Sequence, residues 1–163
     1  MVGLVLVSHS RPLAEAVGDF VRKTVNSDLV LKCSGGVGEN REELGTDAVE
    51  IQEAIASVYS EDGVLVLMDM GSAILSAETA KEFLSPEQQE NVQLTSAPLV
   101  EGGIAAAIQA QIGSSLDEVK NAALQSLLPK RDQIQDVAPA PQASASAIAH
   151  VVEPLVCYVV RAG

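Results

Sequence analysis

Leu4-Val5-Leu6-Val7-Ser8-His9-Ser10-Arg11 is an uninterrupted apolar run that ends abruptly in a histidine held between two hydroxyl residues. Val and Leu in succession, with no polar alternation, match a strand covered on both faces, the pattern of a central strand in a parallel sheet. Parallel α/β sheets gather their sites just past the carboxyl ends of such strands, which is where His9 falls. Imidazole is also the side chain best suited to nucleophilic or proton-transfer work near neutral pH.

Working outward, Ser10-Arg11-Pro12 predicts a helix start with proline in the first turn, followed by Leu13, Val17, Phe20, Val21 and Val25 at helical spacing. Leu29 to Cys33 is a second short strand, and Ser34-Gly35-Gly36-Val37-Gly38-Glu39-Asn40 a glycine-rich loop at its carboxyl end. A second helix begins near Thr46, with Asp47 in its first turn, and carries Ile51, Ile55 and Val58 on one face. After the break at Asp62-Gly63, Val64 to Met68 repeats the opening theme, an apolar strand ending in the polar Asp69. Gly71-Ser72-Ala73 leads into a third helix through Leu84, stopped by Ser85-Pro86. Val92 to Leu94 is a fourth strand and Pro98 to Ile112 a helix whose Gly102-Gly103 signals close packing or a kink. Ser115-Leu116-Asp117-Glu118 is a capping box for a last helix to Leu128, and Pro129 ends the folded part.

Strands alternating with helices predict an α/β fold, a flavodoxin-like, doubly wound and mostly parallel sheet with flanking helices and a strand order beginning 2-1-3. That order places the topological switch between strands one and three, so His9 and Asp69 face each other across one crevice. Residues 1–130 form this domain. Residues 131–150, rich in Ala, Pro and Ser, are a linker, and 151–163 a strand-like tail: the clipped start of another domain or a strand added to a partner.

The formal net charge of −12 argues against nucleic acid or an anionic membrane surface as partner and favours a basic protein. With no Trp, two Phe and two Tyr, there are few rings to stack on a flavin or a base. Cys33 and Cys157 are too few and too far apart for a disulfide framework, consistent with a reduced cytoplasmic setting. No signal peptide is visible and no run reaches the ~18 apolar residues of a membrane span. The only other histidine, His150, lies beyond the linker, so no metal site is expected in the domain; no P-loop is present.

A histidine facing an aspartate is the minimal arrangement for a phosphorylatable imidazole: one nitrogen attacks phosphorus while the carboxylate holds the other and fixes the tautomer. Asp69 is then the orienter. Gly71 and Ser72 supply amides, a hydroxyl and the positive end of a helix to the phosphoryl oxygens, and Ser8 and Ser10 add hydroxyls. The loop with Gly36 and Gly38, and Thr46 beyond it, is the expected partner-contact loop. Spacing alone leaves these residues equally open to a structural reading, with His9 a packed histidine, the glycines turn formers and Gly71-Ser72 an ordinary helix start.

Val5-Leu6-Val7-Ser8-His9-Ser10, Gly35-Gly36-Val37-Gly38, Gly45-Thr46, Met68-Asp69-Met70-Gly71-Ser72-Ala73 and Pro98-Leu99-Val100-Glu101-Gly102, in this order, resemble the phosphocarrier subunit of the phosphoenolpyruvate-dependent dihydroxyacetone kinases, whose first domain is similar to mannose-type enzyme IIA of the sugar phosphotransferase system. The resemblance runs to about residue 128. It implies a flavodoxin-like homodimer in which His9 takes a phosphoryl group from HPr, through Nε2, with Asp69 paired to it. The group then passes to ADP held on the kinase's nucleotide-binding subunit, for phosphorylation of dihydroxyacetone on a third subunit. No cofactor is implied for the chain itself. Some members continue after a linker into an HPr-like domain, which the 151–163 tail would begin. Two other readings stand beside this one: a mannose-family enzyme IIA donating to a IIB domain, and a flavodoxin-like module binding a flavin or nucleotide. A receiver domain fits less well, since it needs an acidic cluster where Ser8-His9-Ser10 stands.

Overall fold

The computed structural model describes residues 1–25 and 28–134. Its first strand, β1 (Gly3–Ser8), is buried along its whole length. It feeds α1 (Arg11–Val25), which returns the chain to β2 (Leu31–Gly35) on one side of β1. Then α2 (Ala48–Val58) crosses back and delivers β3 (Val64–Met68) to the other side. α3 (Ser72–Glu82) and the short α4 (Pro86–Glu90) lead to β4 (Val92–Thr95), followed by α5 (Leu99–Gln111), α6 (Leu116–Gln125) and α7 (Leu128–Ile134). The sheet is entirely parallel in the order β2-β1-β3-β4, so the expected doubly wound order is present.

The period of two along β1 sorts its side chains into two layers. Leu4 and Leu6 pack with Val17 and Val21 of α1 and with Ala106, Ala107 and Ala110 of α5. Val5 and Val7 face Ile51 and Ile55 of α2 and Ala73 and Ala77 of α3 on the other side. Small residues let the helices approach the sheet closely, which suits a core with so few aromatic rings. Gly102 shows this: a Cβ there would sit 2.9 Å from Ala97 Cβ and 3.2 Å from Leu67 Cδ2, so close packing is the reason for the glycine pair's first member.

Several boundaries differ from the sequence expectation. β2 runs two residues further, to Gly35, because Ser34 and Gly35 pair with Val7 and Ser8 at the end of β1. α2 starts at Ala48, and Asp47 is its cap, accepting from Val49 N at 2.9 Å, rather than a first-turn residue. Ser85-Pro86 does more than stop α3. Ser85 Oγ accepts from Gln88 N and the Gln88 side chain accepts from Ser85 N, a capping box that starts α4 with proline in its first turn. The Ser115 box forms as expected, with Glu118 Oε2 accepting from Ser115 N at 2.8 Å. Pro129 does not end the folded part: it lies in the first turn of α7, where a missing N–H is harmless. α7 is tied to α5 by Lys130 Nζ donating to Glu101 Oε1 at 2.7 Å, and it makes residues 131–134 helical where a linker was expected. The rest of the expected linker and the 151–163 tail lie outside the described residues.

Candidate functional site

Because β1 and β3 are neighbours whose following helices leave toward opposite faces, their carboxyl ends open a crevice. Val7 lies beside Met68 in the register, so Asp69 comes level with Ser8 at the end of β1 and meets Ser8 and the His9 that follows it. His9 Nδ1 is 3.0 Å from Asp69 Oδ1, and His9 N donates to Asp69 Oδ2 at 2.8 Å. The carboxylate takes two more donors, Ser8 Oγ on Oδ2 at 2.9 Å and Met70 N on Oδ1 at 2.7 Å. Burial pushes the Asp69 carboxyl up, but the hydrogen bonds from His9 N, Met70 N, Ser8 Oγ and the His9 ring outweigh it and hold the carboxyl below its ordinary 3.8. Asp69 is therefore an acceptor only, which places the ring proton on Nδ1 and leaves a lone pair on Nε2.

Nε2 points to Ser72 Oγ, 2.9 Å away, so the hydroxyl donates to that lone pair. Ser72 is the first residue of α3, after Gly71 with φ +56° and ψ −124°. That backbone is a glycine conformation, and a Cβ at Gly71 would meet nothing within 4 Å, so the space above the helix start is open. Ala73 N turns back to Met70 O, while Gly71 N and Ser72 N have no acceptor among the described residues. The His9 side chain is 27% exposed, reachable from outside yet held at both nitrogens.

The glycine-rich loop forms the opposite wall. Gly45 N donates to His9 O at 2.9 Å, and Thr46 Oγ1 pairs with Ser76 Oγ of α3 at 2.8 Å, which anchors the loop to the helix that carries Ser72. Gly36 has φ +73°, and a Cβ there would lie 2.2 Å from Arg41 O, so this turn admits only glycine. Gly38 sits at the exposed end of the loop. Arg41 has φ +59°, a backbone state that costs roughly 1–3 kcal/mol for a residue with a side chain. It is held by ion pairs to Glu50 at 2.8 Å and to Asp47 at 3.5 Å.

The structure thus brings together His9, Asp69, Gly71 and Ser72, with Gly36 and Thr46 as buttresses of the loop. Ser10 serves the start of α1: its Oγ accepts from Leu13 N at 3.4 Å, and its own hydroxyl proton stays available. Ser8, expected to offer its hydroxyl to phosphate, is fully buried and commits that proton to Asp69 while accepting from Ser10 N. Sequence reasoning missed this clamp and Arg41 altogether. The signal for Ser8 was its place on the inward face of β1 beside Leu4 and Leu6; a lone arginine in a loop gave none. Among the described residues no group of three or more His, Cys, Asp or Glu is placed to hold a metal ion.

A family model described as EIIA-man, PTS system fructose IIA component, matches residues 3–120. The chain belongs to the EIIA-man family. Relatives of this EIIA-man chain include the phosphoryl donor subunit DhaM of a PEP-dependent dihydroxyacetone kinase from Escherichia coli, 44% identical over 94% of this chain and 34% of that protein. A Listeria innocua protein described as PEP-dependent dihydroxyacetone kinase 2, phosphoryl donor subunit DhaM, is 40% identical over 73% of this chain and 94% of its own length. The chain thus spans about a third of the E. coli relative but nearly all of the Listeria one. A crystal structure of a protein of unknown function shares the EIIA-man fold with a TM-score of 0.65 at 30% identity, covering 77% of this chain and 95% of that one. No helix among the described residues is long and apolar enough to cross a membrane.

Proposed function

We propose that the chain is a phosphohistidine relay of a dihydroxyacetone kinase system, a phosphotransferase component that takes its phosphoryl group from HPr and delivers it to ADP on the kinase's nucleotide-binding subunit. The observation that carries this reading is the His9 ring itself, with Nδ1 on Asp69 Oδ1 at 3.0 Å and Nε2 turned to the start of α3. The lone pair of Nε2 attacks phosphorus, the donor's nitrogen–phosphorus bond breaks, and its electron pair returns to the donor imidazole. The ring of His9 then bears positive charge, which the Asp69 carboxylate stabilises through the Nδ1–H. Ser72 Oγ moves from Nε2 to a phosphoryl oxygen, joined by the free amides of Gly71 and Ser72 and the hydroxyl of Ser10. These donors and the helix end favour the anion. In the second step a terminal oxygen of ADP attacks phosphorus and the Nε2–P bond breaks, returning His9 to its starting state.

The named relatives support dihydroxyacetone kinase as the customer; the family description, a sugar-system IIA component, supports a IIB domain as the second reading. In either case the chain acts as a homodimer in the cytoplasm, a state that sedimentation checks. Incubation with phosphoenolpyruvate, enzyme I and HPr labels the wild type with acid-labile phosphate and leaves His9→Ala unlabelled; label on the Ala variant refutes the site. A chase of the labelled protein against ADP-loaded kinase subunit empties it and yields ATP, whereas transfer only to a IIB domain selects the second reading.

A further inference from the structure

His9 is held from two walls of the crevice, and the two walls are joined to each other. On one side Gly45 N donates to His9 O at 2.9 Å. On the other, Ser72 Oγ lies 2.9 Å from His9 Nε2. Thr46 follows Gly45 directly, and Ser76 stands one turn after Ser72 on the same face of α3. Their hydroxyls meet at 2.8 Å across 30 positions of sequence. The circuit therefore closes, from His9 O through Gly45, Thr46, Ser76 and Ser72 back to Nε2. Among the described residues, Thr46 to Ser76 is the one hydrogen bond between the loop of residues 36–47 and α3.

The helix that carries Ser72 has little else to fix its rotation. α3 buries Ala73, Ala77 and Ala80, small side chains that let it sit close to its neighbours but offer only shallow ridges to key it. Its N-cap, Gly71, makes no side-chain cap. Apolar contact is non-directional and sets the distance of α3 from the sheet, whereas a hydrogen bond fixes an angle. The loop, by contrast, is a closed unit. Val37 and Glu43 exchange backbone hydrogen bonds at 2.9 and 3.2 Å, and a Cβ on Gly45 would lie 2.9 Å from the methyl carbons of Val37. A rotation of α3 that carries Ser72 off Nε2 has to break the tie from Ser76 to this unit. We propose that Thr46 and Ser76 are positioning residues for phosphoryl transfer, a neutral hydroxyl pair that locks the rotation of α3 and so holds Ser72 at Nε2 of His9. This rests on the relay reading of His9. Neither hydroxyl touches the phosphoryl group; Thr46 acts through Gly45 and Ser76 through Ser72.

The test compares wild type with Ser76→Ala, Thr46→Val, the double variant and Thr46→Ser, using phospho-HPr as donor. Ser76→Ala leaves the fold intact, since alanine is the better helix former, and its urea midpoint stays close to wild type. Ser76→Ala and Thr46→Val each lower kcat, the transfer rate at saturating donor, about tenfold with KM within a factor of two or three, the signature of lost alignment rather than lost binding. The double variant is no slower than either single one, because all three break the same bond. Thr46→Ser keeps the hydroxyl and transfers at close to the wild-type rate. By nitrogen NMR of isotopically labelled protein, the His9 Nε2 resonance moves in Ser76→Ala and Thr46→Val, but not in Thr46→Ser, toward that of an imidazole nitrogen without a hydrogen-bond partner. Wild-type kcat in both Ser76→Ala and Thr46→Val, with His9→Ala unlabelled, overturns the positioning role and leaves the site intact. A raised KM at unchanged kcat in Thr46→Val overturns it too, since Thr46 is then a contact for the donor. Equal labelling of His9→Ala overturns the site reading itself, and the positioning proposal falls with it.

Discussion

Asp69 carries four hydrogen bonds on its two oxygens, two of them from His9, and this one side chain sets the orientation of the imidazole. Asp69→Asn keeps the volume but offers an amide that no longer fixes the tautomer, so phosphoryl transfer at neutral pH slows by about a hundredfold, as read by the rate of label loss to the acceptor. Because the folded-state pKa lies below the ordinary 3.8, the clamp's contribution to stability is fully present above that value and drains away as pH falls through the lower folded one. Acid unfolding followed by far-UV circular dichroism is accordingly shallower below about pH 4 in Asp69→Asn than in wild type. Ser8→Ala strands Ser10 N and removes a donor from Asp69; a loss of about 1–2 kcal/mol in urea unfolding is expected, with His9 still labelled. His9 and Asp69 stood out in the sequence as candidates because each lies at the end of an apolar run, Asp69 directly and His9 one residue after it. Ser8 was legible only as a hydroxyl, since nothing in a linear sequence tells a buried clamp from a phosphate contact.

At the scale of elements, the turn into α3 does most to shape the site. Gly71→Ala meets no atom, so its cost is backbone strain alone, about 1–3 kcal/mol by urea unfolding, together with slower transfer as Ser72 shifts from Nε2. Asp47→Ala removes a helix cap and one partner of Arg41; a loss near 1 kcal/mol in urea unfolding is expected. Capping signals were readable where polar cap residues stand at fixed offsets, as in Ser115 to Glu118. The same chemistry at Ser85 to Gln88 was hidden because proline after a helix looks like a stop, and only the side-chain bonds show that a new helix begins. Pro129 misleads in the same way: proline ends one helix or opens the next according to which turn it occupies.

For the whole molecule, β1 is the shared wall of two cores, and damage to it is felt on both sides. Leu6→Ala opens a cavity against α1 and α5 and costs about 2–5 kcal/mol. Denaturant unfolding should remain a single transition, with the α2–α3 layer lost at the same midpoint. Far-UV circular dichroism is the suitable probe, since the chain has no Trp.

Apolar runs, their alternation with helices and the polar residue ending each run were enough to predict a doubly wound parallel sheet with His9 and Asp69 at its switch point. Those features are local periodicities, and parallel strands leave few ways to arrange them. Tertiary structure alone decided that Ser8 clamps Asp69, that Nδ1 of His9 faces Asp69 while Nε2 faces Ser72, and that Arg41 and Thr46 fix the loop beside His9. Each of these depends on the direction of a hydrogen bond between residues far apart in the chain, and no linear spacing encodes that direction.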